Sequence, residues 1–239
     1  MARGHPDFGA TTPRELTTPL LDSGELAARL GSPVVYDRLG TVIALYTADQ
    51  PVALVFEANV GSGRRDTVLA HSPFGPYAWR FTAEADGQQP GIRLLVPYIG
   101  DSPVGVEVVF RTVDHQGQTI QLTVLADTAA ARSLPGIRWN EDTNRWQNLD
   151  SSGMWQNTPS SPAPLQTTLW HSLKLIFDPP ESEYGQAKID GEPFGLDGVA
   201  AESVAGFTRT LEIGFHAEGT AAATVSTDVA AVIVTVNEL

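Results

Sequence analysis

From Thr41 onward the chain repeats one pattern, in which short runs of β-branched and aromatic residues alternate with clusters of Gly, Pro, Asp, Asn and Ser. The runs are Thr41 to Tyr46, Val52 to Val60, Thr67 to His71, Tyr77 to Glu84, Ile92 to Tyr98, Val104 to Val113, Thr119 to Ala126, Thr168 to Asp178, Gly185 to Asp190, Thr208 to Ala217 and Ala222 to Val236. Within them apolar residues recur at every second position, as in Leu211, Ile213 and Phe215 around Glu212 and Gly214. That is the period of a strand with one buried face. Val232 to Val236 is apolar at both parities but for Thr235 and predicts a central strand covered on both sides. No amphipathic helix of normal length interrupts the series, so the pattern predicts an all-β sandwich rather than a βαβ protein. No repeat of roughly 20 to 50 residues points to a propeller or solenoid.

Residues 1 to 33 break the pattern, with Pro6, Pro13, Pro19 and Pro33 and no period-two alternation. They read as an N-terminal arm, and 34–239 as one β-sandwich domain. Inside the arm, Asp22-Ser23-Gly24-Glu25 has capping-box spacing, Leu26 and Leu30 lie four apart, and Gly31 is placed to end a short helix. A helix of about two turns cannot offset its nucleation cost alone. The arm is therefore expected to dock, on its own sandwich or on a neighbour, through Phe8, Leu16, Leu20, Leu21, Leu26 and Leu30.

The segment Leu169 to Asp178 places Leu169, His171, Leu173, Leu175 and Phe177 on one face and Trp170, Ser172, Lys174 and Asp178 on the other. With Tyr184 and the Asp190-Gly191 turn signal it reads as a hairpin. Residues 150 to 167 are rich in Ser and Pro and read as a long loop. Trp139 to Trp146 reads as a second hairpin whose four-residue turn sets the two indoles directly opposite each other. Paired indoles offer a stacking platform for a sugar ring, with Arg138, Asn140, Arg145, Gln147 and Asn148 as a polar rim and Trp155 as a third ring. The alternative is that the pair only clasps its own hairpin.

Composition narrows the chemistry. The formal charge of −13, from 28 acidic and 15 basic residues, opposes binding to nucleic acid or anionic lipid. No cysteine is present, which removes disulfides and thiolate metal sites. No apolar stretch approaches a membrane span, and Met1 to Phe8 lacks the apolar run of a signal peptide, so cytoplasmic synthesis is expected. His71, His115, His171 and His216 stand singly, with no metal-ligand spacing, and His171 reads as a hydrogen-bonded core histidine. No cofactor is implied. Asp142 and Asn144, or Asp178 and Asp190, are oxygen donors for calcium by residue type, but turn formation explains them.

The strand Trp170-His171-Ser172-Leu173-Lys174-Leu175, with Tyr184 and Ile189-Asp190-Gly191, resembles the concanavalin A-like lectin/glucanase jelly rolls. The run Thr227 to Glu238 looks like the closing strand of the same superfamily, which returns beside the N-terminal strand. The resemblance implies a jelly-roll sandwich of two antiparallel sheets with this hairpin in the middle of one of them. Ala2 to Phe8 and Asp37 to Gly40 also resemble small single-sandwich bacterial and phage proteins. The Glu-x-Asp-x-x-Glu strand of the glucanase branch is absent, so the resemblance carries over no catalytic residue. A hydrolase would have to use other carboxylates, with Glu107, Glu141 and Glu212 the first to consider.

Three functions follow in order. The first is a non-enzymatic structural subunit for assembly or attachment, in a virion or other particle, with the arm packing across a homo-oligomer neighbour. The second is a carbohydrate-binding module using Trp139, Trp146 and Trp155. The third is a glycoside hydrolase of the same fold.

Overall fold

The computed structural model describes residues 41–48, 55–56, 63–84, 87–97, 102–113, 118–128, 131–160, 162–205, 210–219 and 224–238. The expected N-terminal arm, with the short helix and the six docking residues expected in it, lies outside these.

In chain order the strands are β1 (Thr41–Thr47), β2 (Val55–Phe56), β3 (Arg64–Ser72), β4 (Gly75–Ala83), β5 (Gly91–Pro97), β6 (Val104–Thr112), β7 (Gln118–Asp127), β8 (Ala131–Leu134) and β9 (Gly136–Asn140). They continue as β10 (Arg145–Leu149), β11 (Trp155–Asn157), β12 (His171–Asp178), β13 (Glu183–Ile189), β14 (Glu192–Pro193), β15 (Val199–Ala200), β16 (Glu202–Ala205), β17 (Thr210–Gly219) and β18 (Val225–Val236). Two nine-stranded sheets result. The first runs β14-β13-β12-β6-β18-β4-β3, with β1 beside β18 and β15 beside β13. The second runs β11-β10-β9-β7-β17-β5-β2, with β8 beside β7 and β16 beside β8. The longer pairings are all antiparallel, and among the described residues there is no helix. The fold is the expected jelly-roll sandwich.

The alternation explains the packing. Val104, Val106, Val108 and Phe110 of β6 share one buried cluster with Ile120, Leu122, Val124 and Ala126 of β7 and Leu211, Ile213 and Phe215 of β17. Each large apolar side chain so buried contributes about 1.5–3 kcal/mol of transfer free energy. Phe110 and Phe215, from opposite sheets, meet at 5.2 Å between ring centroids. Tyr184 of β13 ties the sheets with a polar link: its hydroxyl accepts the Gly136 N–H at 2.8 Å and lies 2.8 Å from the Leu149 carbonyl, to which it donates. Burial pushes this phenol's pKa well up, so it stays a donor.

β18 is central and buried on both faces, as its apolar parities predict. A bulge between Val229 and Ala231 in its pairing with β6 marks where its other edge changes partner, from β4 to β1. The closing strand thus returns beside the first described strand. Asp228, on the outer face, has no solvent exposure and lies between Arg80 and Arg111 at 2.7 and 2.8 Å.

Two expectations change. The β12–β13 hairpin forms, closed by residues 179–182, while Asp190 and Gly191, with φ of 50° and 87°, the two positive angles of a type I′ turn, join β13 to β14. It sits toward the β14 end of the first sheet rather than in its middle, because only two-residue strands pair beyond β13. The segment 150–167 is not purely loop: its residues Trp155–Asn157 form β11 on β10. A three-residue polar strand leaves no period to read.

Candidate functional site

On the outer face of the second sheet polar side chains line up in register across five strands. β7 puts Ile120, Leu122 and Val124 inside, which turns Gln121 and Thr123 outward. β17 likewise turns His216 outward between the core residues Phe215 and Ala217. Cross-strand pairing then aligns His216 with Gln121, Gln121 with Arg138, Arg138 with Gln147, and Gln147 with Asn157. Five strands contribute one side chain each, spanning about 19 Å at the usual strand spacing. Part of the row is bonded: Arg138 Nε donates to Gln147 Oε1 at 2.7 Å, and Gln147 Nε2 donates to Asn157 Oδ1 at 3.3 Å.

Two glycines make space for the large groups. A Cβ on Gly214 would lie 2.8 Å from His216 Nε2, and one on Gly91 would lie 2.6 Å from its Nδ1, so the imidazole lies over both. Nδ1 is buried without a hydrogen-bond partner. Burial pushes the imidazole below the ordinary histidine range, against upward pulls from the Gln89 backbone and Glu212. His216 is therefore neutral near pH 7. Gly136 does the same for Trp155, whose Cη2 would lie 3.0 Å from an added Cβ. The Arg138 guanidinium sits 4.5 Å from the Trp155 ring centroid, a cation–π stack that fixes its plane. Beside this row Arg93 pairs with Glu212 at 2.5 Å.

The sequence-derived site residues separate. Trp139 and Trp146 do stand directly opposite each other, rings 5.4 Å apart, but both are buried. Trp146 packs on Phe194 at 5.0 Å. The open two-indole platform is thus corrected to a clasp inside the sandwich, because Trp139 shares the parity of the core residue Ile137. Asn148 is buried with them. Asn140 is a turn residue whose side-chain oxygen accepts the Thr143 N–H at 3.1 Å, and Arg145 is exposed. Trp155 reaches the outer face together with the rim residues Arg138 and Gln147. Gln121, His216 and Asn157 were not expected there. The outward parity of Gln121 between Ile120 and Leu122 is the signal that marks such positions.

The three carboxylates considered for hydrolysis do not converge. Glu107 lies in the first sheet and accepts Ser172 Oγ at 2.7 Å, Glu141 caps the Gln118 N–H at 3.0 Å, and Glu212 is paired with Arg93. Asp178 and Asp190 lie at opposite ends of the β12–β13 hairpin and cannot share one cation. Asp142 and Asn144 are both exposed in the β9–β10 turn. His171 is buried, with Nδ1 2.6 Å from Asp190 and Nε2 2.9 Å from the Gln166 carbonyl.

The sequence matches no protein-family model and no curated protein. Its fold does match solved structures. An endo-β-1,4-glucuronan lyase from the fungus Trichoderma reesei aligns over 82% of this chain and 96% of its own, with TM-score 0.58 and 12% identity. A carbohydrate esterase of the Shiga toxin-encoding bacteriophage phi24B aligns over 83% and 100%, with TM-score 0.58 and 15% identity. A galectin-like protein from Bacillus subtilis aligns over 84% and 99%, with TM-score 0.50 and 12% identity. The chain has the concanavalin A-like jelly-roll fold; likeness at these identities shows the fold and no activity.

Proposed function

We propose that the protein binds carbohydrate on the outer face of its second sheet. The observation that carries this is the row His216, Gln121, Arg138, Gln147 and Asn157, five polar side chains in register on one face. Sugars present alternating hydroxyls to such amides, while the Trp155–Arg138 stack offers a flat surface to a ring. Two of the fold relatives act on carbohydrates by name, which supports the same reading. We propose binding without catalysis, since Glu107, Glu141 and Glu212 stand apart. The assembly role rests on the arm, outside the described residues.

A glycan array tests this. Wild-type protein is expected to bind a definite subset of glycans, and Gln121→Ala to lose at least tenfold in affinity for them with unchanged melting temperature. No binding on a broad array, or binding untouched by Gln121→Ala, would remove the reading.

A further inference from the structure

Among the described residues, Arg138 differs from the arginines that hold ion pairs. Arg80, Arg93, Arg111 and Arg132 each meet a carboxylate at 2.5–2.8 Å. Arg138 is half-buried and no described carboxylate makes an ion pair with it; the Glu218 charge reaches it only at longer range. Its contacts are the Gln147 amide oxygen through Nε and the Trp155 ring. The terminal nitrogens remain for another acceptor. Burial without a counter-ion is costly for a cation and pulls this guanidinium below its usual range. An anionic ligand would offset that cost.

The neighbours suit one kind of anion. Gln121, directly opposite Arg138, carries an amide on the same outer face, and His216 is its register partner on the other side. A planar carboxylate accepts two parallel N–H bonds from a guanidinium and a third from an amide. A sugar hydroxyl attached to the same ring can then pair with a neutral imidazole.

We infer that the sugar recognised on this face is an acidic one, a uronate-type residue whose carboxylate docks between Arg138 and Gln121. This rests on the carbohydrate reading of the same face and narrows it to a ligand class. Binding falls with added salt, because one charge pair forms on a partly exposed face.

The test uses the full chain and paired probes: oligoglucuronate, oligomannuronate and oligogalacturonate, each beside its carboxyl-reduced neutral counterpart, followed by calorimetry. At least one acid is expected to bind, and its reduced form to bind at least tenfold more weakly. Arg138→Gln should lose at least tenfold for the acid and bring the acid-to-reduced ratio close to one, and Arg138→Lys should recover part of the loss. If Arg138→Gln does not fold, the acid-to-reduced ratio and its dependence on salt in the wild type still decide. Equal or tighter binding of the neutral forms overturns the acidic assignment and leaves the carbohydrate reading standing. Acid binding indifferent to Arg138→Gln overturns this location for the carboxylate. Failure of all six probes together with an empty glycan array removes both.

Discussion

Asp228 has no exposure to solvent, and the two guanidinium groups that hold it come from 148 and 117 residues earlier in the chain. Removing the carboxylate leaves two partly buried arginines facing each other across the site it filled. Asp228→Ala is expected to cost about 3 kcal/mol, read as a lower midpoint in urea unfolding with the slope unchanged. A loss below about 1 kcal/mol would mean that solvent already compensates the two arginines. Such a triad was not legible in the sequence, since each partner is fixed by sheet register and not by local spacing. The facing of Trp139 and Trp146 was legible from their turn, and the parity of Ile137 shows in addition that both point inward.

The β12–β13 hairpin and the segment before it are held together at His171. Asp190, in the turn after β13, accepts from Nδ1, and Gln166, in the preceding segment, offers its carbonyl to Nε2. Burial alone would push the imidazole pKa down, but the Asp190 hydrogen bond and the Gln166 carbonyl outweigh it, and the net shift is upward. A group whose folded pKa is raised stabilises most below its unfolded value, about 6.5, and loses that contribution as pH rises through the folded value. The stability difference between wild type and His171→Gln should therefore be largest below about pH 6.5 and shrink on going alkaline. His216, shifted down, acts in the opposite sense and loses its contribution as pH falls, so His216→Gln serves as the control. Denaturant midpoints for the three proteins from pH 5 to 9 check this; a His171→Gln difference that is flat with pH would contradict it. The hairpin itself was readable from the period-two alternation of its strands, and Asp190-Gly191 marked the turn that follows β13. Its place near a sheet edge was not, because β14 and β15 are too short to leave a pattern.

At the scale of the molecule, period-two alternation was enough to give two antiparallel sheets and a buried closing strand, since each strand reports its own inner face. Which strands share a sheet is non-local, and with it goes the identity of the outer row: His216, Gln121 and Asn157 are 95 and 36 residues from one another along the chain and meet only through pairing with β7, β9 and β10. Trp155, Arg138 and Gln147 stand close in sequence to the Trp139–Trp146 pair and were legible with it, whereas Gln121, His216 and Asn157 carry no local signal that joins them to it. Carbohydrate binding is proposed for the outer face of the second sheet. The most direct measurement is a nuclear magnetic resonance titration of isotope-labelled protein with the tightest oligosaccharide from the array. The largest shifts are expected at the side chains of Gln121, Arg138, Gln147, Asn157, His216 and Trp155, with the Arg80–Asp228–Arg111 face of the first sheet unmoved. Shifts concentrated on that first-sheet face, with the Gln121 row unmoved at saturation, would contradict the account.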